Sequence, residues 1–391
     1  IVTAAAVIVS LGRPTAAPVH YVDEPAFPAL HDNPDAVQKV IMKGPDNSFS
    51  LVRESPDRWV APDRANYPVA TDDVRKLIVG LADMRLTEPK TKEPDLYGRI
   101  EVKDVDAKDA KSRLVRLEGA GGKVLAEAII GKERYRLTGS QATGTYIRRP
   151  GEAQSWLASG AVQPETKVAE WLDDQVVALA GDTLRRIEIR PESGEAYAIA
   201  RASADAGWQL ESLGPDEKTK PDEDFAKLTG ALSSVKMEDV KPRGELDWPA
   251  RHGTAEVTTA DGLELTVQLA KIGDDHWALF DASEVEPTAA SEPAAPAQAS
   301  GEKVAAADQA TPTAQAKPAK PDASPGQAAA AESPSGATGS EGADKKAPAT
   351  KLTAEALNQR TASWAYKIPE YLYTRLSTPR SAWLADKGKT S

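Results

Sequence analysis

Val37, Val40 and Met42 alternate with polar residues as a half-buried strand does, and Leu184, Ile187 and Ile189 repeat the pattern 147 residues later. Phe49-Ser50-Leu51 is answered by Tyr197-Ala198-Ile199, and Trp59 by Trp208. A helix is predicted next in each stretch. Thr71-Asp72-Asp73 reads as an N-cap with an acidic first turn, and Val74, Leu77, Leu81 and Met84 form one apolar stripe. Pro221-Asp222-Glu223-Asp224 opens the second helix, where Phe225, Leu228, Leu232 and Val235 keep the same spacing. A hairpin follows each helix. Leu114–Leu117 and Val124–Glu127 flank Gly119-Ala120-Gly121-Gly122, and Ala255–Val257 and Leu263–Val267 flank Ala260-Asp261-Gly262. Such turns need residues that tolerate positive φ. A tyrosine-bearing strand closes each set, Thr145-Tyr146-Ile147 in one and Ala365-Tyr366-Lys367-Ile368 in the other.

The order of these signals predicts an α+β protein of two tandem repeats, each an antiparallel sheet packed with one main helix. The second repeat carries an insertion. Between Asp281 and Ser363 there is no aromatic residue, and within 285–350 alanine fills 22 positions and proline 9. A stretch with so little apolar bulk buries too little surface to offset the entropy of ordering it, so disorder is expected there. The resulting division is an anchor end or signal segment at 1–14, a linker at 15–34 and a first repeat at 35–165. The second repeat occupies 166–284 and 351–384 around the insertion at 285–350, with a tail at 385–391. The uncharged run Ile1–Gly12 is shorter than the roughly 20 residues of a span. It reads as the distal end of a membrane anchor, with a cleaved signal peptide as the competing reading.

Composition narrows the chemistry. The chain has 391 residues, no cysteine, four histidines and a net charge of −11. Disulfides, thiolate metal sites and cysteine nucleophiles are excluded, and the acidic balance argues against nucleic acid as a partner. No catalytic, cofactor-binding or metal-binding residue is assigned. Leu137-Thr138-Gly139-Ser140-Gln141 lacks the setting of a nucleophile elbow. Gly119–Gly122 and Gly388-Lys389-Thr390 fall short of phosphate-binding loops, so no nucleotide is expected to bind directly. Asp104, Asp106 and Asp109 lack the glycine and distal glutamate of a calcium loop. Asp173-Asp174 reads as a cap and turn, Trp59, Trp171, Trp208 and Trp383 as core, and His276-Trp277 as a strand end. Arg148-Arg149 and Arg185-Arg186 read as surface charges on strands.

Several residues form a further ordered set. Phe27-Pro28-Ala29-Leu30, the Trp59 strand, the capped helix and the glycine hairpin come first. Tyr146 and then Glu170-Trp171-Leu172-Asp173-Asp174 follow, ahead of Leu184–Ile189. The set resembles the bacterial domain-of-unknown-function family 4340 from about Phe27 to Asp281 and again from Lys351. The resemblance implies a protein of the inner membrane with a single N-terminal anchor and its bulk in the periplasm. It further implies ABC exporter subunits as partners, including a gliding-motility-type auxiliary component. It carries no catalytic residues. The expected function is therefore a non-catalytic accessory subunit acting through protein contacts. A periplasmic glycan- or lipid-binding module is the first alternative. The second is an envelope hydrolase using Asp173 with Glu188 or Asp239.

Overall fold

The computed structural model describes residues 22–135, 143–220, 222–285 and 352–385. The run Ile1–Gly12, the Leu137–Gln141 loop, the insertion from residue 286 and the tail beyond Ala385 lie outside them. The fold is mixed α+β with antiparallel sheets. Ten strands form the first sheet: β1 (Glu24–Pro25), β2 (Lys39–Lys43), β3 (Ser48–Ser55), β4 (Arg58–Ala61), β5 (Tyr67–Pro68), β6 (Arg85–Pro89), β7 (Arg113–Glu118), β8 (Val124–Arg134), β9 (Gly144–Arg148) and β10 (Ser155–Ser159). Their order is β1-β6-β10-β9-β8-β7-β2-β3-β4-β5.

The second half contributes β11 (Gln175–Ala178), β12 (Leu184–Arg190), β13 (Tyr197–Ala200), β14 (Gln209–Leu210), β15 (Ser234–Lys236), β16 (Asp239–Pro242), β17 (Gly253–Thr259), β18 (Leu263–Ile272), β19 (Asp275–Glu284) and β20 (Trp364–Lys367). Eight of them form a sheet ordered β14-β13-β12-β17-β18-β19-β20-β16, and β11 pairs with β15. Set side by side, β6-β10-β9-β8-β7-β2-β3-β4 and β16-β20-β19-β18-β17-β12-β13-β14 follow the same order. In this order β20 stands where β10 does. The expected match of Tyr146 with Tyr366 is therefore one strand out: Ser155-Trp156 is the counterpart of Ser363-Trp364, and the strand of Tyr146 corresponds to β19.

The helices form where the stripes place them, at Thr71–Ala82 and Asp222–Ser233. Val74, Leu77 and Leu81 are buried on the first and Phe225, Leu228 and Leu232 on the second, while Met84 just past the first helix and Val235 on β15 are buried beyond the helix ends. Each large aliphatic contributes roughly 1.5–3 kcal/mol by leaving water. Thr71 is not the cap. It is the first helical residue after Ala70, and its hydroxyl donates to the Asp57 carbonyl at 3.3 Å. Both hairpins form at their glycines, with φ of 67° at Gly121 and 85° at Gly262.

On the far side of each sheet, the connection after the helix crosses over and covers an apolar patch. Residues 90–112 bring Tyr97 and Val102 onto Ile129, and residues 243–252 bring Leu246 and Trp248 against Trp277 and Leu279. The first crossing passes so close to β8 that a Cβ on Gly131 would lie 2.3 Å from the Ile100 carbonyl oxygen.

Other expectations are corrected. The stretch to Pro34 is built into the fold from Val22 onward: Val22 N donates to Thr87 O, β1 pairs with β6, and Pro28–Asp32 is a helix. Two late helices, Ala354–Thr361 and Glu370–Leu376, were not foreseen. The described residues belong to one compact unit with a core continuous across both halves. Among them, no helix is long and apolar enough to cross a membrane.

Candidate functional site: the seam, the closing turns and the charged groups

The two sheets meet where the corner after β4 lies against the second sheet's edge. The 3-10 turn Pro62–Arg64 aims Arg64 at Asp239 on β16, with Nε donating to Oδ1 at 2.7 Å and an Nη to Oδ2 at 2.9 Å. The hydrogen bond to Asp239 raises the Arg64 pKa, outweighing desolvation. Beside this pair, the Tyr67 ring stands edge-on to Trp364 at 5.1 Å and near Tyr366 at 6.2 Å. The Tyr67 hydroxyl donates to the Asp173 carbonyl at 3.2 Å. Burial pushes the Tyr67 phenol up to about 12 and shifts Tyr366 upward as well.

A short turn then closes each half onto the segment leading into its own helix. After the turn Val168–Trp171, the Trp171 carbonyl accepts from Ala70 N and Leu172 bridges to Val69. After Arg380–Trp383, the Trp383 carbonyl accepts from Lys220 N and Leu384 bridges to Thr219. Trp383 also stacks on Phe225 at 5.2 Å and donates to the Tyr197 hydroxyl at 2.6 Å. Burial lifts Tyr197 to about 12.

A second device occurs in both halves and escaped the sequence reading. Arg53 donates to the carbonyls of Asp35 and Pro56. Arg201 donates to those of Leu184, Ala204 and Gly181, and its guanidinium lies 4.9 Å over the Trp208 ring. Each arginine ties the end of a strand to the chain entering the sheet. The signal was present, because Arg53 and Arg201 share the offset that relates Phe49-Ser50-Leu51 to Tyr197-Ala198-Ile199.

The candidate chemical residues do not converge. Asp104 accepts from Arg148 at 2.5 Å, Asp106 pairs with Lys43 at 2.8 Å, and Asp109 adopts a left-handed φ of 59°. Among the described residues, no group of three potential metal ligands is assembled. Asp174 pairs with Lys236 at 2.9 Å, Glu188 with Arg186 at 2.8 Å and Arg190 at 2.5 Å, and Asp239 with Arg64. The carboxylates considered for hydrolysis thus serve separate contacts, with Asp173 engaged at the seam through its backbone.

Arg148 is not a surface charge. It is 3% exposed, stacks 4.7 Å over Tyr97 and donates to the Val102 and Glu152 carbonyls. Its neighbour Arg149 donates to Ala26 O, and Arg185 to the carbonyls of Asp182 and Leu184. Trp59, Trp171, Trp208 and Trp383 are all buried. His276 lies 4.4 Å from the Tyr373 ring, and Lys241 sits over Trp277. Gly119–Gly122 forms the hairpin turn, whereas Ser140 and Gly388-Lys389-Thr390 fall outside the described residues.

No curated protein and no solved structure matches the chain. A family model does, covering residues 59–291, more than half of the sequence. That span runs from the β4 tryptophan through the seam, the first closing turn and the second hairpin. The chain therefore belongs to the family described as a domain of unknown function, DUF4340.

Proposed function

We propose that this chain is a non-catalytic accessory subunit of an ABC-type exporter, tied to the inner membrane through its N-terminal segment and acting in the periplasm through protein contacts. One ancestral sheet-and-helix unit occurs in it twice, with an Ala/Pro-rich segment inserted in the second copy. The matching strand orders of the two sheets support the duplication. One observation carries the functional reading. The carboxylates and guanidinium groups at the seam, the crossings and the strand ends are committed to binding one part of the fold to another. Asp239 holds Arg64, and Asp104 holds Arg148. Such a body is suited to presenting surfaces. The uncharged run Ile1–Gly12 supports attachment, and the resemblance to exporter-associated proteins supports the choice of partner.

The test is affinity purification of the full chain from native membranes after mild detergent extraction. The reading expects an ATP-binding subunit and a membrane-spanning subunit to be recovered with it. Recovery of the chain without any transporter component overturns it.

A further inference from the structure

One long strand is paired differently in the two halves. In the second, β18 is matched by β19 along its whole length, with Leu263–Val267 opposite Glu284 back to Phe280. In the first, β9 stands where β19 does but pairs only with Ile129–Arg134 of β8, and the chain then turns away after Arg148. Val124–Ala128 is held by β7 on one side. On its other side, among the described residues, no strand lies alongside and no loop backbone bonds to it. A hollow of about 360 Å³ is found there, walled by Val124, Leu125 and Ala126 of β8, by Phe27 and Pro28, and by Pro150. Val124 is 39% exposed.

We propose that this open edge of β8 takes an extended segment of a partner protein, added antiparallel to Val124–Ala128. The proposal deepens the accessory-subunit reading and rests on it, since it names where the partner would attach. Backbone groups along a strand seek partners once water is withdrawn, and an added strand supplies them in register. A lipid chain would fill the hollow and leave that ladder unmet. The second half supplies the pattern of the occupant. There Phe280 and Ala282 pack on the core, and Asp281 and Ser283 alternate with them. The occupant is therefore a short strand with apolar residues at alternate positions, which face Phe27, Pro28 and Leu125. Ala126 and Ala128 stand where β18 has Leu265 and Val267, leaving room for larger side chains on the added strand. A second copy of this chain has no suitable strand to offer. Its sheets end in β1, β5 and β14, of two residues each, and in β16, whose edge receives Arg64.

The test places a photoreactive phenylalanine at Val124 of the full-length chain in native cells, with Val79, 45% exposed on the first helix, as control. The expected result is a protein adduct from position 124 alone, mapped to a segment with alternating apolar residues. Ala29→Trp, at an exposed position lining the hollow, should reduce that adduct about tenfold by filling the space. Far-UV circular dichroism and the melting temperature confirm that the variant folds. In the complex isolated through the adduct, amides of residues 124–128 should exchange about tenfold more slowly than in the free chain. No adduct, an equal yield from Val79, indifference to Ala29→Trp, unchanged amide exchange, or crosslinks only to lipid or to a second copy each overturn the proposal. If transporter subunits co-purify with the chain and no adduct forms, the edge fails and the accessory reading stands. If the crosslinked partner belongs to no transporter, the edge stands and the accessory reading fails.

Discussion

The two halves share a strand order but treat one strand differently. In the first, β6 is continuous and β1 lies along its edge; in the second, the same stretch divides into β15, paired with β11, and β16, whose edge receives Arg64. Even the ion pairs at this edge correspond, Arg85 with Asp23 and Lys236 with Asp174. Splitting the strand frees an edge, and that edge is where the first half attaches. Two halves of like strand order thus differ in what they bind through the breaking of one strand.

The comparison can be broken most strongly at the helices. Leu81→Ala and Leu232→Ala remove equivalent buried side chains and should each cost about 2–5 kcal/mol in urea unfolding. If one variant loses much while the other loses almost nothing, the helices are not equivalent in packing. Gly131→Ala is expected to cost roughly 1–3 kcal/mol by overpacking, because the Ile100 carbonyl occupies the space. Its effect should concentrate in the first half, giving faster amide exchange in residues 94–112 than in 243–252.

The tyrosines sharpen the comparison under alkaline conditions. Tyr67 at the seam and Tyr197 under Trp383 have pKa values raised to about 12 from 10.0. The fold favours the neutral phenol, so this contribution is complete below pH 10 and lost as pH climbs from 10 through 12. A shift of that size corresponds to roughly 2–3 kcal/mol per tyrosine. Unfolding midpoints should be flat up to pH 10 and fall beyond it, less steeply in Tyr67→Phe and Tyr197→Phe. The smallest effect is expected at the paired edge contacts. Arg85→Ala and Lys236→Ala should each change stability by at most about 1 kcal/mol, diminishing with added salt, as exposed ion pairs do.

What the sequence disclosed was local and periodic. The helix stripes and the glycine hairpins are visible because spacing along the chain sets which face is buried. The seam was invisible: Arg64 and Asp239 lie 175 residues apart, and nothing near either announces the other. An arginine pair on a strand ordinarily faces water, and Arg148 departs from that rule. Its burial depends on Tyr97 and on carbonyls supplied by a crossing whose path periodicity does not reveal. The tyrosine match failed for a different reason. Tyrosines recur on neighbouring strands, whereas the Ser-Trp pair at Ser155-Trp156 and Ser363-Trp364 marks the matching strand. Asp173, Glu188 and Asp239 are engaged in separate contacts, which their places in the sequence do not reveal.

Asn358 receives Ala282 N at 2.8 Å and returns a bond to Ala282 O at 2.7 Å. It thereby joins the backbone just before residue 285 to the helix just after residue 352, in the connection that the first half makes with residues 149–154. A span whose two ends are stapled side by side can change length cheaply, since each doubling adds only about 0.6 kcal/mol of closure entropy. This makes the site a natural port for grafting: a reporter domain spliced there should leave the surrounding architecture untouched.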